Sequence, residues 1–559
     1  MTIRLLNANA VDELRAVALH FGGEHSVRKS RALAACASGT LGDPSLLVAY
    51  HDCLLCLLAY PETPALSAAA RTELDRVAAA ARRIVEVGPS RARARLANSG
   101  VAWTAVTINF GWDIARWLVE RFPERAEVDS FGDDGVALQS ILAAALPAME
   151  FELAASAESS SEFLDRASAG RRGSRLAWLV GVFLRLPCSD ALRGHLFDAL
   201  NAFIAIEPRD SMLSRTYGRG LPAPTFFHRE GLLRGNDLAT LLAEPLPAPR
   251  RLSGRQRRAV VDAGRAMLAS LGRETDAIAL AHPAGVAWYE LGRGVALALY
   301  TMDPDRCSPL DSHVGMMLFK NRVPVGYGGG WPFVGSCRIG VNIFAPYRGG
   351  ESAFLFGQVL RVYHHRFAVG RFVAEPSQFG GTNREGLQSG AFWFYYRLGF
   401  RPIELRSARL ASEEWARMQA DPRYRTPIPT LRRCAGSDIE LRLYTVPECE
   451  PAVLSDAVTD WIGRRFQGNR TAAERTATQI VIRALGVADF DRWPDSERRA
   501  FREIALLFAQ IADLGRWPQA AKRATVALMR AKGRDEFRFH AIIARHRLLR
   551  AALTRLAKP

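Results

Sequence analysis

The chain reads as a multidomain protein with an all-α N-terminal region, a central mixed α/β domain and an α-helical C-terminal region. Three observations predict this. Its 559 residues are several times the usual domain of roughly 100–150 residues. Alanine-rich segments with apolar residues at helical spacing fill both ends. Between them, short apolar runs alternate with helical patterns in the order helix, antiparallel strands, helix, strand, helix, strand, which indicates one mixed sheet.

From residue 11 to about 203 the pattern is helix after helix. Segments such as LSAAARTELDRVAAAARRIVEV and GWDIARWLVERF are punctuated by Gly, Pro and Asp, and no fixed repeat period is visible. Residues 1–243 are therefore expected to form a helical N-terminal region. Residues 244–258, EPLPAPRRLSGRQRR, concentrate proline and arginine as an interdomain linker would. Residues 259–407 form the central domain. An amphipathic stretch over 256–271 precedes strand-like runs at 277–281, 286–290, 295–302, 314–319, 323–327 and 337–344, with Lys320-Asn321-Arg322 as a hairpin turn. A helix starts near Glu351, with Phe356, Leu360, Tyr363 and Phe367 on one face. A strand at 371–374 and a helix at 386–398 follow. Residues 408–559 return to helices, interrupted by a strand-like run at 439–446. The cleanest helix spans 495–514, where Phe501, Ile504, Ala505, Phe508, Ile511 and Ala512 form one stripe and Gly515 ends it.

Composition narrows the class. Hydrophobic residues are 48% and charged residues 23%, the balance of an ordinary globular protein, which excludes wholesale disorder. The longest uncharged apolar run, residues 176–184, is far shorter than the roughly 18 residues of a membrane span. Asp12 and Glu13 interrupt the N-terminus before any secretory-type apolar stretch. A cytoplasmic protein without a membrane span is expected. The eight cysteines are dispersed, and Cys53 and Cys56 lie in the leucine-rich DCLLCLLAY without a second ligand pair, so buried helical thiols are expected rather than a metal or redox site. No metal site is anticipated.

The formal net charge is +17. Only five of the 74 basic residues are lysine (Lys29, Lys320, Lys522, Lys532 and Lys558), a bias that a GC-rich genome explains as well as a phosphate-binding surface does. Residues 517–559 carry eleven Lys or Arg against Asp535 and Glu536, and Arg538, Arg545, Arg547, Arg550 and Arg555 fall on the polar side of a helix. Nucleic acid is an alternative partner for such a face; a solvated or internally docked face is the commoner use. His546, on the apolar side with Phe539, Ile542, Ile543 and Leu553, is expected in the core.

Chemistry concentrates in residues 338–402. A strand ends at Ala345-Pro346, Arg348-Gly349-Gly350 form a turn, and a helix begins at once. Unsatisfied amides and the positive end of the helix dipole therefore meet at that turn. Such a turn suits a pyrophosphate, and Arg348 can add a charge-assisted bond; a Gly-Gly serving only to redirect the chain is the competing reading. Glu375, ending the next strand, is a candidate general base, or else a solvated strand-end carboxylate. Tyr395 lies in the aromatic block Phe392-Trp393-Phe394-Tyr395-Tyr396, as an acid or as packing. His364 and His365 sit on the long helix. Asp311 and His313 precede a strand and are placed to reach an acceptor site.

The loop Arg348-Gly349-Gly350-Glu351-Ser352-Ala353, the long helix, the strand after it and the motif Phe394-Tyr395-Tyr396-Arg397-Leu398-Gly399-Phe400 resemble the GCN5-related N-acetyltransferase (GNAT) superfamily over about residues 255–405. The resemblance implies a GNAT-like acyl-CoA-binding domain at 259–407 and acyl transfer, acetyl above all, from an acyl-CoA to an amine on a small molecule or protein. It implies that Ile343, Phe344, Arg348, Gly349, Gly350, Ser352 and Ala353 hold the acyl-CoA between splayed parallel strands. It implies that Tyr395 protonates the departing thiolate. Three departures accompany it. Glu351 stands where the family has a glycine, Gln388 where many relatives have asparagine, and the strand Gly340-Val341-Asn342-Ile343-Phe344 lacks the usual carboxylate. The base is then left to Glu375. A non-catalytic GNAT-like binding or assembly protein is the alternative, with Glu351 as the mark of lost cofactor affinity.

Overall fold

The computed structural model describes residues 5–207, 212–216, 221, 225–235, 237–381 and 383–558. Eleven strands are numbered in chain order. β1 (Val106–Ile108), β2 (Ala126–Phe131) and β3 (Ala202–Ile206) form a small antiparallel sheet in the order β1-β3-β2. β4 (Ala281–Glu290), β5 (Val295–Met302), β6 (Val314–Lys320), β7 (Val323–Phe333), β8 (Ser336–Ile343), β9 (Arg371–Ala374), β10 (Arg401–Pro402) and β11 (Ile439–Arg442) form the main sheet, in the order β10-β11-β9-β8-β7-β6-β5-β4. Every neighbouring pair in it is antiparallel except β8 with β9.

β5 and β6 are buried at every position, which explains why VALALYTM and VGMMLFK are continuous apolar runs rather than alternating ones. On one face lies the crossover helix Ser352–Phe367 that joins β8 to β9 in parallel; its Tyr363 hydroxyl donates to the Val314 carbonyl at 2.5 Å. On the other face lie the helix Gly254–Ser270, started by a Ser253/Gln256 capping box, and the helical turn Asp276–Ala279. The Tyr300 hydroxyl reaches that layer, donating to the Val260 carbonyl at 3.1 Å.

Burial divides into three cores. One runs from Leu6 through the first helices and the whole main sheet to Phe537. A second joins the small sheet to the helices around it, and a third collects the C-terminal helices against Phe333 and Val334 at the β7–β8 hairpin. The helical segments near both ends thus match the expectation, and several other expectations are corrected. The N-terminal region is not all-α: β1, β2 and β3 are short, and only the alternating burial of AFIAI marks a strand against the helices on either side. Residues 277–281 form a helical turn up to Ala279, and β4 begins at Ala281. The helix expected at 386–398 is two, Arg384–Ser389 and Ala391–Arg397, because Gly390 takes a left-handed conformation (φ +68°). Residues 244–258 are packed: the Arg250 amide donates to the Trp288 carbonyl at 2.8 Å, and Arg361 donates to the Glu244 and Pro245 carbonyls. The main sheet also recruits β11, beyond residue 407, where pairing ends at Arg442 rather than 446.

The C-terminal helices are tied to the sheet by a buried ion pair. Lys532 donates to Glu536 at 2.6 Å and to the Ser312 hydroxyl at 3.0 Å, just ahead of β6. Burial raises the Glu536 carboxyl, but Lys532 and His540 together outweigh burial and hold it at about 2. His546 is buried as expected; it accepts from the Leu549 amide at 3.2 Å and so caps the last helix, Arg547–Leu556. Replacing Lys532 by Ala leaves the buried Glu536 with only His540, at 3.2 Å, beside it, and is expected to cost ~3–5 kcal/mol, read as a lower midpoint in urea denaturation.

Candidate active site between two splayed strands

β8 and β9 pair over only three positions, Ser336 with Arg371, Cys337 with Phe372 and Arg338 with Val373. Beyond Arg338, β8 continues to Ile343 against β7, while β9 ends at Ala374. β9 ends one residue past the last pair, and two cavities lie beside the end of β8 that β9 leaves unpaired. One, of about 280 Å³, is lined by Val341, Ile343, Arg348, Ser352, Phe394 and Tyr395 among others. The second, of about 330 Å³, lies toward His313, Tyr327, Trp331, Arg338 and Glu375. They share Val341, Asn342, Gln378 and Asn383.

The turn after β8 sits at the rim of the first cavity. A single 3₁₀ turn, Ala345–Tyr347, leads into it, and the amides of Arg348 and Gly350 are engaged internally by the Ala345 and Tyr347 carbonyls. Among the described residues the amides of Gly349 and Ser352 have no main-chain acceptor, and no side chain caps the crossover helix. The Ser352 amide at the helix start is therefore a free donor next to the opening. Gly350 is required by a close approach: a Cβ there would lie 3.0 Å from the Tyr60 hydroxyl. The helix Pro44–Ala59 supports the same turn, since the Cys56 thiol donates to the Pro346 carbonyl at 3.0 Å. Cys53 and Cys56 are both buried thiols, as expected from their leucine-rich surroundings.

Glu351 turns away from the opening. Its carboxylate is fully buried, accepts from Lys320 at 2.5 Å, from Arg293 at 3.1 Å and from the Leu233 amide at 3.1 Å. Burial pushes this carboxyl up, but Lys320, with the Leu233 amide and His228, more than compensates and holds it below the usual range. Burial draws the Lys320 ammonium down to about 8, opposed by Glu351, so both are charged at neutral pH. The expected repulsion of a pyrophosphate by Glu351 is therefore absent; the carboxylate near the rim is instead Glu385, which pairs with Arg348.

The sequence-predicted residues separate accordingly. Ile343, Arg348 and Ser352 line the first cavity. Phe344 is buried against Tyr327, Gly350 against Tyr60, Gly349 is exposed, and Ala353 packs part-buried on the core. Tyr395 lines the cavity while only 2% exposed, ringed by Phe356, Phe379 and Phe400. Its hydroxyl makes no well-formed hydrogen bond, the Val341 amide faces it, and burial raises the phenol above its ordinary value. Glu375 lies on the second cavity, half-exposed and paired with Arg338 at 3.0 Å. Arg338 also reaches Asp438 at 3.2 Å. His364 and His365 are bound to the Val369 and Leu242 carbonyls and line neither cavity. Sequence reasoning missed Asn342, Gln378, Asn383 and Trp331; the glycines of VPVGYGGGWPF were the available signal that this sheet surface is kept open.

No family model, curated protein or solved structure matches this chain. Among the described residues no helix is long and apolar enough to cross a membrane, and no three metal-ligating side chains converge.

Two measurements test the support beneath the turn. Glu351→Gln leaves Lys320 and Arg293 with an uncharged partner and is expected to destabilise the fold by about 3–5 kcal/mol in urea titration, whereas a cleft-facing Glu351 would give a near-neutral variant. His228 is buried among Phe21, Tyr60 and Phe226 with neither ring nitrogen hydrogen-bonded, and burial, aided by Lys320, lowers its pKa from 6.5 to about 3. The folded state therefore binds fewer protons, and the stability from neutral His228 is complete above pH 6.5 and lost as pH falls toward 3. The melting temperature of His228→Phe is expected to fall less steeply on acidification than that of the wild type.

Proposed function

We propose that the chain is an acyl-CoA-dependent N-acyltransferase, with acetyl-CoA as the leading donor and an amine, on a small molecule or a protein, as acceptor. One observation carries this reading: beyond the last β8–β9 pair an open cavity meets the free Ser352 amide at its rim and is lined by Tyr395, whose hydroxyl faces the Val341 amide. A diphosphate suits the amide-rich rim, with Arg348 exchanging Glu385 for a phosphate oxygen. A thioester arm then fits between the strands. The amine enters from the second cavity and attacks the thioester carbonyl. Main-chain donors of β8, Val341 in particular, stabilise the oxyanion. The C–N bond forms, the C–S bond breaks, and Tyr395 gives its proton to the leaving thiolate. Its raised pKa keeps the phenol protonated until that step. Glu375 and Asp438 give the acceptor side carboxylates that favour a cationic amine.

The ion pair between Arg348 and Glu385 favours the alternative, a non-catalytic GNAT-like binding protein, because it already occupies the guanidinium. Nucleic acid gains less support. In the tail, Lys532 is buried with Glu536, Arg530 pairs with Glu497, and Arg550 donates to the Ala544 and Val334 carbonyls.

Titration calorimetry with acetyl-CoA and with CoA tests the reading. One-to-one binding is expected at roughly micromolar Kd, about −8 kcal/mol, and no heat from the folded chain defeats the enzyme proposal. Tyr395→Phe is expected to keep that affinity while lowering acetyl-CoA turnover by about 10²–10⁴-fold.

A further inference from the structure

The proton released by the attacking amine needs an acceptor, and Glu375 is half-exposed and engaged by Arg338. The second cavity holds a better-placed group. Across β6, β7 and β8, three glycines stand side by side in register: Gly315 opposite Gly329, and Gly329 opposite Gly340. Each lacks a side chain where another segment presses onto the sheet. Ala277 covers Gly315, the His313 imidazole covers Gly329, and Gln378 covers Gly340. A Cβ on Gly329 would collide with the ring, so this glycine is what lets the imidazole lie against the strand. Trp331 closes the other side, its ring stacked on His313 at 4.1 Å and 11° between planes.

His313 is thus clamped in one place on the wall of the acceptor cavity. Among the described residues neither ring nitrogen has a hydrogen-bond partner. The charged groups that face it are Asp276 on the helical turn below β6, and Arg338 and Glu375 on the same cavity. Burial lowers its pKa to about 4 despite Asp276, so it is neutral at pH 7 and can accept a proton.

We propose that His313 is the catalytic base of the acyltransferase, with Gly329 and Trp331 as its positioning residues. The inference rests on the acyl-CoA reading above. As the amine nitrogen bonds to the thioester carbon, its proton passes to the free imidazole nitrogen. Tyr395 supplies the thiolate's proton on the other side of the splay. The imidazolium then returns its proton to water and the Tyr395 phenolate recovers one from water, so a neutral amine and the acyl-CoA give the amide and free CoA thiol with no net proton.

Two experiments on the full chain test it. Carbethoxylation by diethyl pyrocarbonate, mapped by mass spectrometry, requires a neutral, reachable imidazole. A histidine in a model peptide (pKa about 6.5) loses reactivity about tenfold between about pH 7 and about pH 5.5, whereas His313 is expected to react nearly equally at both. Parallel loss, or no reaction at either pH, overturns the proposal. Thiol release from acetyl-CoA is then followed with n-butylamine as the probe nucleophile. His313→Gln, His313→Ala and Gly329→Ala are expected to lower kcat by about 10²–10⁴-fold with calorimetric acetyl-CoA affinity unchanged, and added imidazole to restore part of the His313→Ala rate. Acetyl-CoA binding by the wild type with unchanged kcat in His313→Gln, or with no thiol release at all, overturns the role of His313 and leaves the binding site standing. Absence of acetyl-CoA binding by the wild type overturns both.

Discussion

The short parallel pairing of β8 with β9 is the constraint on which the site depends. Three residue pairs hold the strands together, and then the ladder stops. A sheet interior normally leaves no space between neighbouring strands, because unpaired buried amides and carbonyls are costly. Here the break is stabilised on both flanks: β7 pairs with β8 to Ile343, and β11 pairs with β9 from Ala374 back to Arg371. Each strand is anchored on its far side, so the gap between them persists without dissolving the sheet.

What surrounds the gap is held partly by the N-terminal helices and partly by the sheet itself. The turn at its rim rests on Tyr60 and Cys56 from the N-terminal helices and on Glu351, whose charge is balanced by Lys320 and Arg293. A buried ion pair contributes little net stability compared with apolar packing, but removing one partner is costly. Such a pair fixes one geometry for the helix start. The C-terminal helices act similarly beside the second cavity, where Lys532 reaches Ser312, the residue before His313. The helical regions at both ends of the chain thus support the two sides of one opening.

Much of this was legible. The crossover helix, β9 and the fully buried strands were readable because their apolar runs have lengths and periods that few other structures accommodate. The aromatic block around Tyr395 was readable only as an ambiguity between acid and packing, and the fold places the ring and its hydroxyl in buried surroundings beside the first cavity. The direction of Glu351 was open because residue order at a helix start does not say which way a side chain turns. The glycine row was invisible because Gly315, Gly329 and Gly340 become neighbours only through strand register.

The amino-acid sequence by itself determined most elements of the main sheet, the glycine turn at residues 348–350 and the burial of Cys53 and Cys56, since these follow from local periodicity and from backbone groups within a few residues of one another. Only the tertiary structure decided that the strands part after Arg338, that Glu351 faces Lys320 rather than the opening, and that His313 lies against Gly329. Those facts depend on contacts between segments tens of residues apart, where packing and charge pairing select one arrangement from many that the local pattern permits.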